Sequence, residues 1–524
     1  MPKLKPLGKI LVLGIIVIGA GVGAYRYFSA TGGLPGGLNS GPNVAGFGET
    51  KIDGDQGILG RPLRVGVVTW PGYMGGVTAN NGFAPNKSCI YWNGHKLLVE
   101  FRLMEDVDIR AKAFASGDVD VIWSTVDFFA NEGPGFRKGG TPARAVMQVD
   151  WSRGGDAIVA DKSIRRIEDL RGKRISLALF TPSHWLLVSS MRNSSLDDAE
   201  QIAINKNIVG KNASPDARVD FVSGKVDAAV VWEPDVAEAL QKRPNSHILV
   251  STKTAANLIA DLMIAREEFI AKHPDVIKAF VQGWFEGTEV ANRDTNKVVE
   301  LMMDNMPLYK DLGEQISREN VSTVKWADLA DNAKMFGLDG SEPLFDRIFR
   351  EASDSWVRLG YISQKLTPSD AKNIEALKSV FTSIPASERS VTPKEEFRLP
   401  KSEEASTKRP VMTKPLPIYF GTGRSDLDNN AKSILDSVAT MAQTYSNAYI
   451  RIEGNTDNVG NADSNTVLSQ KRAQSVVNYL VSKYGLNRDR LVSKGNGPYK
   501  PVANNSTAEG KAKNRRTDVM VIPR

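Results

Sequence analysis

The stretch from Ile452 to Lys483, with the strand pattern leading into it, constrains the fold of this chain more than any other part of its 524 residues. Ala448 to Glu453 alternates apolar and polar side chains, the period-two signature of a strand. Asn455 to Gly460 is turn chemistry. Ala473, Val476, Val477, Leu480 and Tyr484 then recur at helical spacing. Strand, turn and helix in that order place Asp457 at the strand's end and Arg472 on the shoulder of the helix's apolar stripe. An Asp and an Arg so placed can face one cleft. Such a cleft suits a zwitterion, with carboxylate to ammonium and a guanidinium fork to carboxylate. The same residues also serve as an ordinary turn and a snorkelling or locally paired arginine.

Gly454-Asn455-Thr456-Asp457-Asn458-x-Gly460, then Leu468-Ser469-x-x-Arg472-Ala473, then Asn514-Arg515-Arg516, resembles the OmpA-like peptidoglycan-binding domain. The resemblance runs from Pro415 to Arg524 and implies a small α/β sandwich. In that family the positions matching Asp457 and Arg472 hold the free zwitterionic end of diaminopimelate in the stem peptide of the wall. It therefore implies a peptidoglycan site at Asp457 and Arg472, with Thr456, Asn514 and Arg515 around them. Two departures stand out. Asn455 occupies a position that is commonly His, and the Gly495-Asn496-Gly497 turn lacks the aromatic often found at its centre.

A chain of this length suits about three domains with room for buried cores. Its net charge of +7 is concentrated at one end, since Leu416 to Arg524 holds 15 Lys and Arg against 9 Asp and Glu. Aromatic residues are not interleaved with these cations as single-strand binders require, which argues against nucleic acid. Cys89 is the one cysteine, so no internal disulfide can form. The four histidines lie far apart without metal-ligand spacing. No P-loop, G-x-S-x-G elbow or H-E-x-x-H occurs, so neither a metal nor a cofactor is expected, nor an enzyme.

Lys3, Lys5 and Lys9 precede an uncharged run from Ile10 to Tyr25, a pattern of export with the basic front left in the cytoplasm. Two outcomes compete for residues 1–28. Val22-Gly23-Ala24 can be cleaved, or the run is retained as a single inner-membrane anchor, the outcome favoured here. Residues 29–60 and 386–415 are rich in Gly, Pro, Ser, Thr and charge and read as linkers.

Between them, residues 61–385 alternate strand and helix patterns. Strands are expected at Leu63–Thr69, Leu97–Leu103, Val119–Trp123, Arg174–Leu179 and Ala228–Trp232, with helical patterns at Arg110–Ser116, Trp185–Arg192 and Ala265–Glu289. This is an α/β domain with mostly parallel sheets. Ligands bind beyond the carboxyl ends of such strands. Those ends carry Trp70-Pro71-Gly72-Tyr73, Ser124-Thr125, Thr181-Pro182-Ser183-His184 and Trp232-Glu233-Pro234.

Ala115-Ser-Gly-Asp-Val-Asp120, Ile167-Glu-Asp-Leu-Arg-Gly-Lys-Arg-Ile175, Thr181-x-Ser-His184 and Val222 to Pro234 resemble the periplasmic solute-binding proteins for nitrate, sulfonates, taurine and thiamine precursors. That resemblance implies a two-lobed domain hinged around a solute and serving an ABC permease. Trp70, Tyr73 and Thr125 would come from one lobe, and Ser183, His184, Trp232 and Glu233 from the other. An insertion-like stretch at Asn80–Trp92 departs from the pattern. Glu233 is also a poor partner for an oxyanion, so a cationic or zwitterionic ligand stands level with an anionic one. Glu233 and His184 could instead form an acid–base pair, although no nucleophile, metal set or cofactor loop accompanies them.

The chain so read is an envelope protein that binds peptidoglycan at residues 416–524 and a small solute at residues 61–385. The alternative is a scaffold or sensor whose middle domain is a degenerate receptor.

Overall fold

A computed structural model describes residues 53–384, 399–418, 420 and 423–524. The expected anchor at 1–28, residues 29–52 of the first linker and residues 385–398 of the second lie outside the described residues. Among the described residues, no helix is long and apolar enough to cross a membrane.

The middle domain opens with β1 (Leu63–Val67), flanked in parallel by β2 (Val99–Leu103) and β3 (Val121–Thr125). Strand β4 (Ala143–Ser152) carries the chain into a second lobe of β5 (Asp156–Asp161), β6 (Ile175–Ala178), β7 (Ile208–Lys211), β8 (Ala228–Trp232) and β9 (Ser246–Ser251). Strand β10 (Ala260–Arg266) returns it, and β11 (Val324–Trp326) closes the first lobe's edge. The two sheets run β11-β4-β10-β3-β1-β2 and β7-β6-β8-β5-β9.

Mostly parallel sheets were expected, and both sheets are mixed instead. Strands β4 and β10 pair antiparallel, as do β5 and β9. The reason is the double crossing: one strand of each pair leaves its lobe and the other enters it. The expected helix over Ala265–Glu289 also divides. Ala265 and Arg266 finish β10, Glu267–Lys272 form a short helix, and a second helix runs Pro274–Arg293. The break falls at His273-Pro274, where proline has no N–H to donate and bars its predecessor from helical backbone. The insertion-like stretch is bracketed by the helices Met74–Asn80 and Ile90–His95.

The Ser116-Gly-Asp-Val-Asp120 motif has a structural use. Asp120 is fully buried and takes the fork of Arg61 at 2.7 and 2.8 Å, the Arg64 N–H at 3.0 Å and Arg266 at 3.3 Å. A buried carboxylate is tolerable only when paired and hydrogen-bonded in this way.

The last domain is a four-stranded sheet in the order β12-β15-β13-β14, built from β12 (Met412–Leu416), β13 (Ala448–Gly454), β14 (Leu491–Gly495) and β15 (Thr517–Pro523). Its helices are Asn429–Thr444, Ala462–Tyr484 and the short Ala508–Asn514. The second linker is shorter than the expected 386–415. Strand β12 begins at Met412, and Leu399 and Ala405 are buried against Tyr449, Met520 and Ile522. Those small apolar contacts are invisible to a compositional reading dominated by Pro, Lys and Glu. The domain also rests on the second crossing: the Asn257 N–H donates to the Thr444 carbonyl at 3.2 Å, and the Asn447 amide to the Lys253 carbonyl at 2.9 Å.

Helix Ala462–Tyr484 lies directly on two strand ends. A Cβ on Gly454 would sit 2.3 Å from the Ser469 carbonyl oxygen, and one on Gly495 would sit 2.4 Å from the Gln470 nitrogen. Gly454 and Gly495 are register partners on β13 and β14, so one bare spot receives the helix backbone. Gly454→Ala is expected to lift the helix and destabilise the last domain by about 1–3 kcal/mol, as overpacking does. Thermal unfolding of the variant beside the native chain measures it.

Candidate functional sites

The turn after β13 and helix Ala462–Tyr484 meet along the edge that Gly454 and Gly495 create. The Thr456 N–H donates to the Gly497 carbonyl at 2.9 Å, which fixes the turn on the loop after β14. Asp457 accepts the Val459 N–H on Oδ1 at 3.1 Å and the Arg515 guanidinium on Oδ2 at 2.6 Å. Arg472 donates Nε–H to the Arg424 carbonyl at 3.0 Å, and its guanidinium carbon lies 4.9 Å from the centre of the Phe420 ring. Burial lowers the Arg472 pKa, which the Asp457 charge partly offsets and the Arg515 charge reinforces. Asp457, Arg472 and Arg515 are thus one electrostatic group.

Thr456 and Asn514 stand beside that group in different ways. Thr456 is buried, and its hydroxyl is spent on the Asp457 carbonyl at 2.8 Å. Asn514 is fully buried and knits the loop before it. Its oxygen accepts the Val502 and Ala503 N–H groups, and its amide donates to the Ala503 carbonyl and Asn505. Asn455 turns inward, donating to Asp518 and accepting from Asn496.

The second candidate site is a small cleft between the lobes. Trp70 and Trp123 come from the first lobe and Trp232 from the second, with Val68 and Pro182 completing the apolar wall. Two carboxylates line it, Asp156 and Asp261. Both sit where the chain crosses between lobes, Asp156 at the start of β5 and Asp261 near the start of β10.

Trp70 stands on the first crossing. A Cβ on Gly155 would fall 2.0 Å from its ring, so only glycine admits the indole there. Its Nε1–H donates to Asp150 Oδ2 at 3.0 Å. Asp150 faces Asp261 across β4 and β10. The Tyr73 hydroxyl donates to Asp261 Oδ1 at 2.6 Å, which puts Tyr73 beneath the lining rather than in it. Asp156 accepts from the Ser152 hydroxyl at 2.6 Å and lies opposite Trp232 in the β5–β8 register.

These carboxylates are hard to ionise. Burial pushes Asp156 and Asp261 up to about 7. Burial first, and then the neighbouring Asp261 charge, holds Asp150 well above the ordinary carboxylate range. Asp127, fully buried nearby, is raised in the same way, by burial above all. Two facing carboxyls in a dry site share a proton rather than both ionise.

The remaining expected residues lie around this centre. Thr125 caps the helix Val126–Lys138, accepting the Phe128 N–H at 3.3 Å. Ser183 neighbours the lining Pro182 and is fully buried, with its hydroxyl unpartnered. His184 packs instead against Trp356 and Tyr361; its Nδ1 accepts the Phe180 N–H at 3.2 Å and its Nε2 meets Asn205 at 3.2 Å. Burial depresses its pKa to about 4. Glu233 accepts the Ala237 N–H at 3.0 Å and is raised to about 7 by burial. The two groups suggested as an acid–base pair are therefore each engaged separately.

Sequence reasoning passed over Asp150, Asp156 and Asp261. A signal existed, because Val149-Asp150-Trp151 and Ala260-Asp261-Leu262 place acids inside apolar strand runs, where a charge is costly.

Residues 419–515 match the OmpA family, and residues 137–296 match a family described as NMT1/THI5 like. The chain ends in an OmpA domain. Over 104 residues that domain is 39% identical to outer membrane protein A of Bordetella avium, covering 20% of this chain and 53% of that protein. It is also 39% identical over 105 residues to peptidoglycan-binding protein ArfA of Mycobacterium tuberculosis, covering 20% of this chain and 32% of that one. The chain thus spans about half or less of the length of these curated relatives. Among solved structures, the periplasmic aliphatic sulphonate binding protein SsuA of Escherichia coli is similar over 59% of this chain and 97% of its own, at 14% identity and a TM-score of 0.46.

The OmpA domain and the NMT1/THI5-like region are joined in one chain whose acidic cleft makes stability depend on pH. The folded pKa values of Asp156 and Asp261 lie above their unfolded values, so the stability they contribute is full below about pH 4 and lost as pH rises through about 7. The midpoint of thermal unfolding should fall between about pH 5 and 7.5, and Asp156→Asn or Asp261→Asn should flatten that slope.

Proposed function

We propose that the protein is a wall-moored solute receptor of the cell envelope. Its OmpA domain grips peptidoglycan through the zwitterionic end of a diaminopimelate stem peptide, with Asp457 receiving the ammonium and Arg472 the carboxylate. Arg515 holds Asp457 in place from the far side. The middle domain closes on a small solute, in the manner of a periplasmic binding protein serving an ABC permease, and the amino-terminal run holds the inner membrane. The observation that carries this reading is the meeting of Asp457, Arg472 and Arg515 on one edge with opposite charges. The match to a relative named for peptidoglycan binding supports it.

One observation favours a sensor beside the transport reading. The crossing segment Lys253–Asn257 is held by the last domain, so opening of the cleft and placement of the wall domain share a stretch of backbone. Solute binding separates a working receptor from a degenerate one: ligand at a hundredfold excess over Kd adds about 2.7 kcal/mol of stability.

Asp457→Asn and Arg472→Ala are each expected to release the protein from purified sacculi in co-sedimentation. Each leaves one pole of the ligand without its counter-charge, at a cost of about 2–5 kcal/mol. Variants that pellet as the native chain does would remove these two residues from the site.

A further inference from the structure

We infer that the solute is an organic ammonium cation, held in a three-tryptophan cage against Asp156 and Asp261. The inference rests on the receptor reading above and narrows it to a substrate class.

The lining decides the sign of charge. Its polar members are Asp156, Asp261 and the three indoles, and among the described residues no Lys, Arg or His lines it. The buried Arg110 stacks behind the wall on Trp123 and Phe128, and donates to the Trp123 carbonyl and Glu132. An oxyanion in this cavity would meet two carboxylates and no counter-charge. A cation would meet both, inside a wall otherwise made of indole and aliphatic surface.

The indoles decide the kind of cation. Among the described residues no group of three or more His, Cys, Asp or Glu could hold a metal ion. Aromatic faces suit weakly hydrated ions whose charge is spread over alkyl groups, such as quaternary and substituted ammonium. The cage also draws Trp70 and Trp123 from one lobe and Trp232 from the other, so a ligand bridging them would hold the lobes together. Ser183, buried with a free hydroxyl beside Pro182, can accept or donate a hydrogen bond to a polar substituent.

Binding such a cation should also move protons. The Asp156 carboxyl faces Ser152 and lies in the field of Asp261 and Asp127, while Asp261 faces Tyr73, Asp150 and Asp127. In that company the empty site keeps its carboxyls protonated below neutrality. A bound cation favours the ionised form, so protons leave as it enters, and affinity should rise with pH up to about 7.

The test is calorimetric titration of the full chain with choline, putrescine and ethanesulfonate at about pH 6 and 7.5. Choline or putrescine should bind saturably, more tightly at the higher pH, with ethanesulfonate silent. Asp156→Asn and Asp261→Asn should each weaken binding by about tenfold or more. Trp232→Ala should abolish binding while Trp232→Phe retains part of it, because a phenyl ring offers a weaker face. Circular dichroism confirms that each variant is folded.

If ethanesulfonate binds and neither cation does, the cationic assignment is overturned and the receptor reading stands. If no probe of either charge binds, both fall. Affinity that drops with rising pH, or cation binding indifferent to both Asp substitutions, would also overturn the assignment.

Discussion

Everything in the middle domain follows from the chain crossing between its lobes twice. Strands β4 and β10 carry those crossings on the first-lobe side, and β5 and β9 receive them on the second. The crossings fix the sheet order and the antiparallel pairs within it. They also choose the residues of the cleft, since Asp150, Asp156 and Asp261 all lie within a few positions of a crossing. Gly155, at the first crossing, admits the Trp70 ring that forms one wall. A cleft built on a hinge has its chemistry where the backbone bends.

Buried acids are expensive, and this domain concentrates several of them. Elsewhere the fold neutralises such groups locally, as Asp120 shows with Arg61 and Arg266. Among the described residues no cation lines the cleft to perform that duty, and neutralisation falls to shared protons and to hydroxyl donors from Tyr73 and Ser152. That arrangement is poor for stability and suited to a site that awaits a positive charge. It fits a pattern in which structural strain collects at functional places and the rest of the fold carries the cost.

The last domain solves a simpler problem. Two glycines on neighbouring strands let a long helix lie directly on the sheet, and that closeness brings Arg472 into the same field as Asp457 and Arg515. Its contact with the Lys253–Asn257 crossing shows that the two domains are not merely strung together. A linker rich in proline and charge promised reach, but Leu399 and Ala405 turn its second half into part of the domain.

Local pattern was enough to read the strand at Ala448, the turn at Asn455, the placing of Asp457 and Arg472 near one edge, and an α/β domain ahead of them. These are local matters of period and turn chemistry, which neighbouring residues carry between them. It also marked Trp70 and Trp232 as cleft residues, because strand ends are readable from apolar runs. Tertiary structure alone decided that His184 packs on Trp356 and Tyr361, that Asn514 serves its own loop, and that Asp156 and Asp261 line the cavity. Those outcomes depend on partners far along the chain, brought together by two crossings whose direction no local pattern encodes. The sign of the cleft's charge is of this second kind, since it is set by which long-range neighbours do and do not arrive.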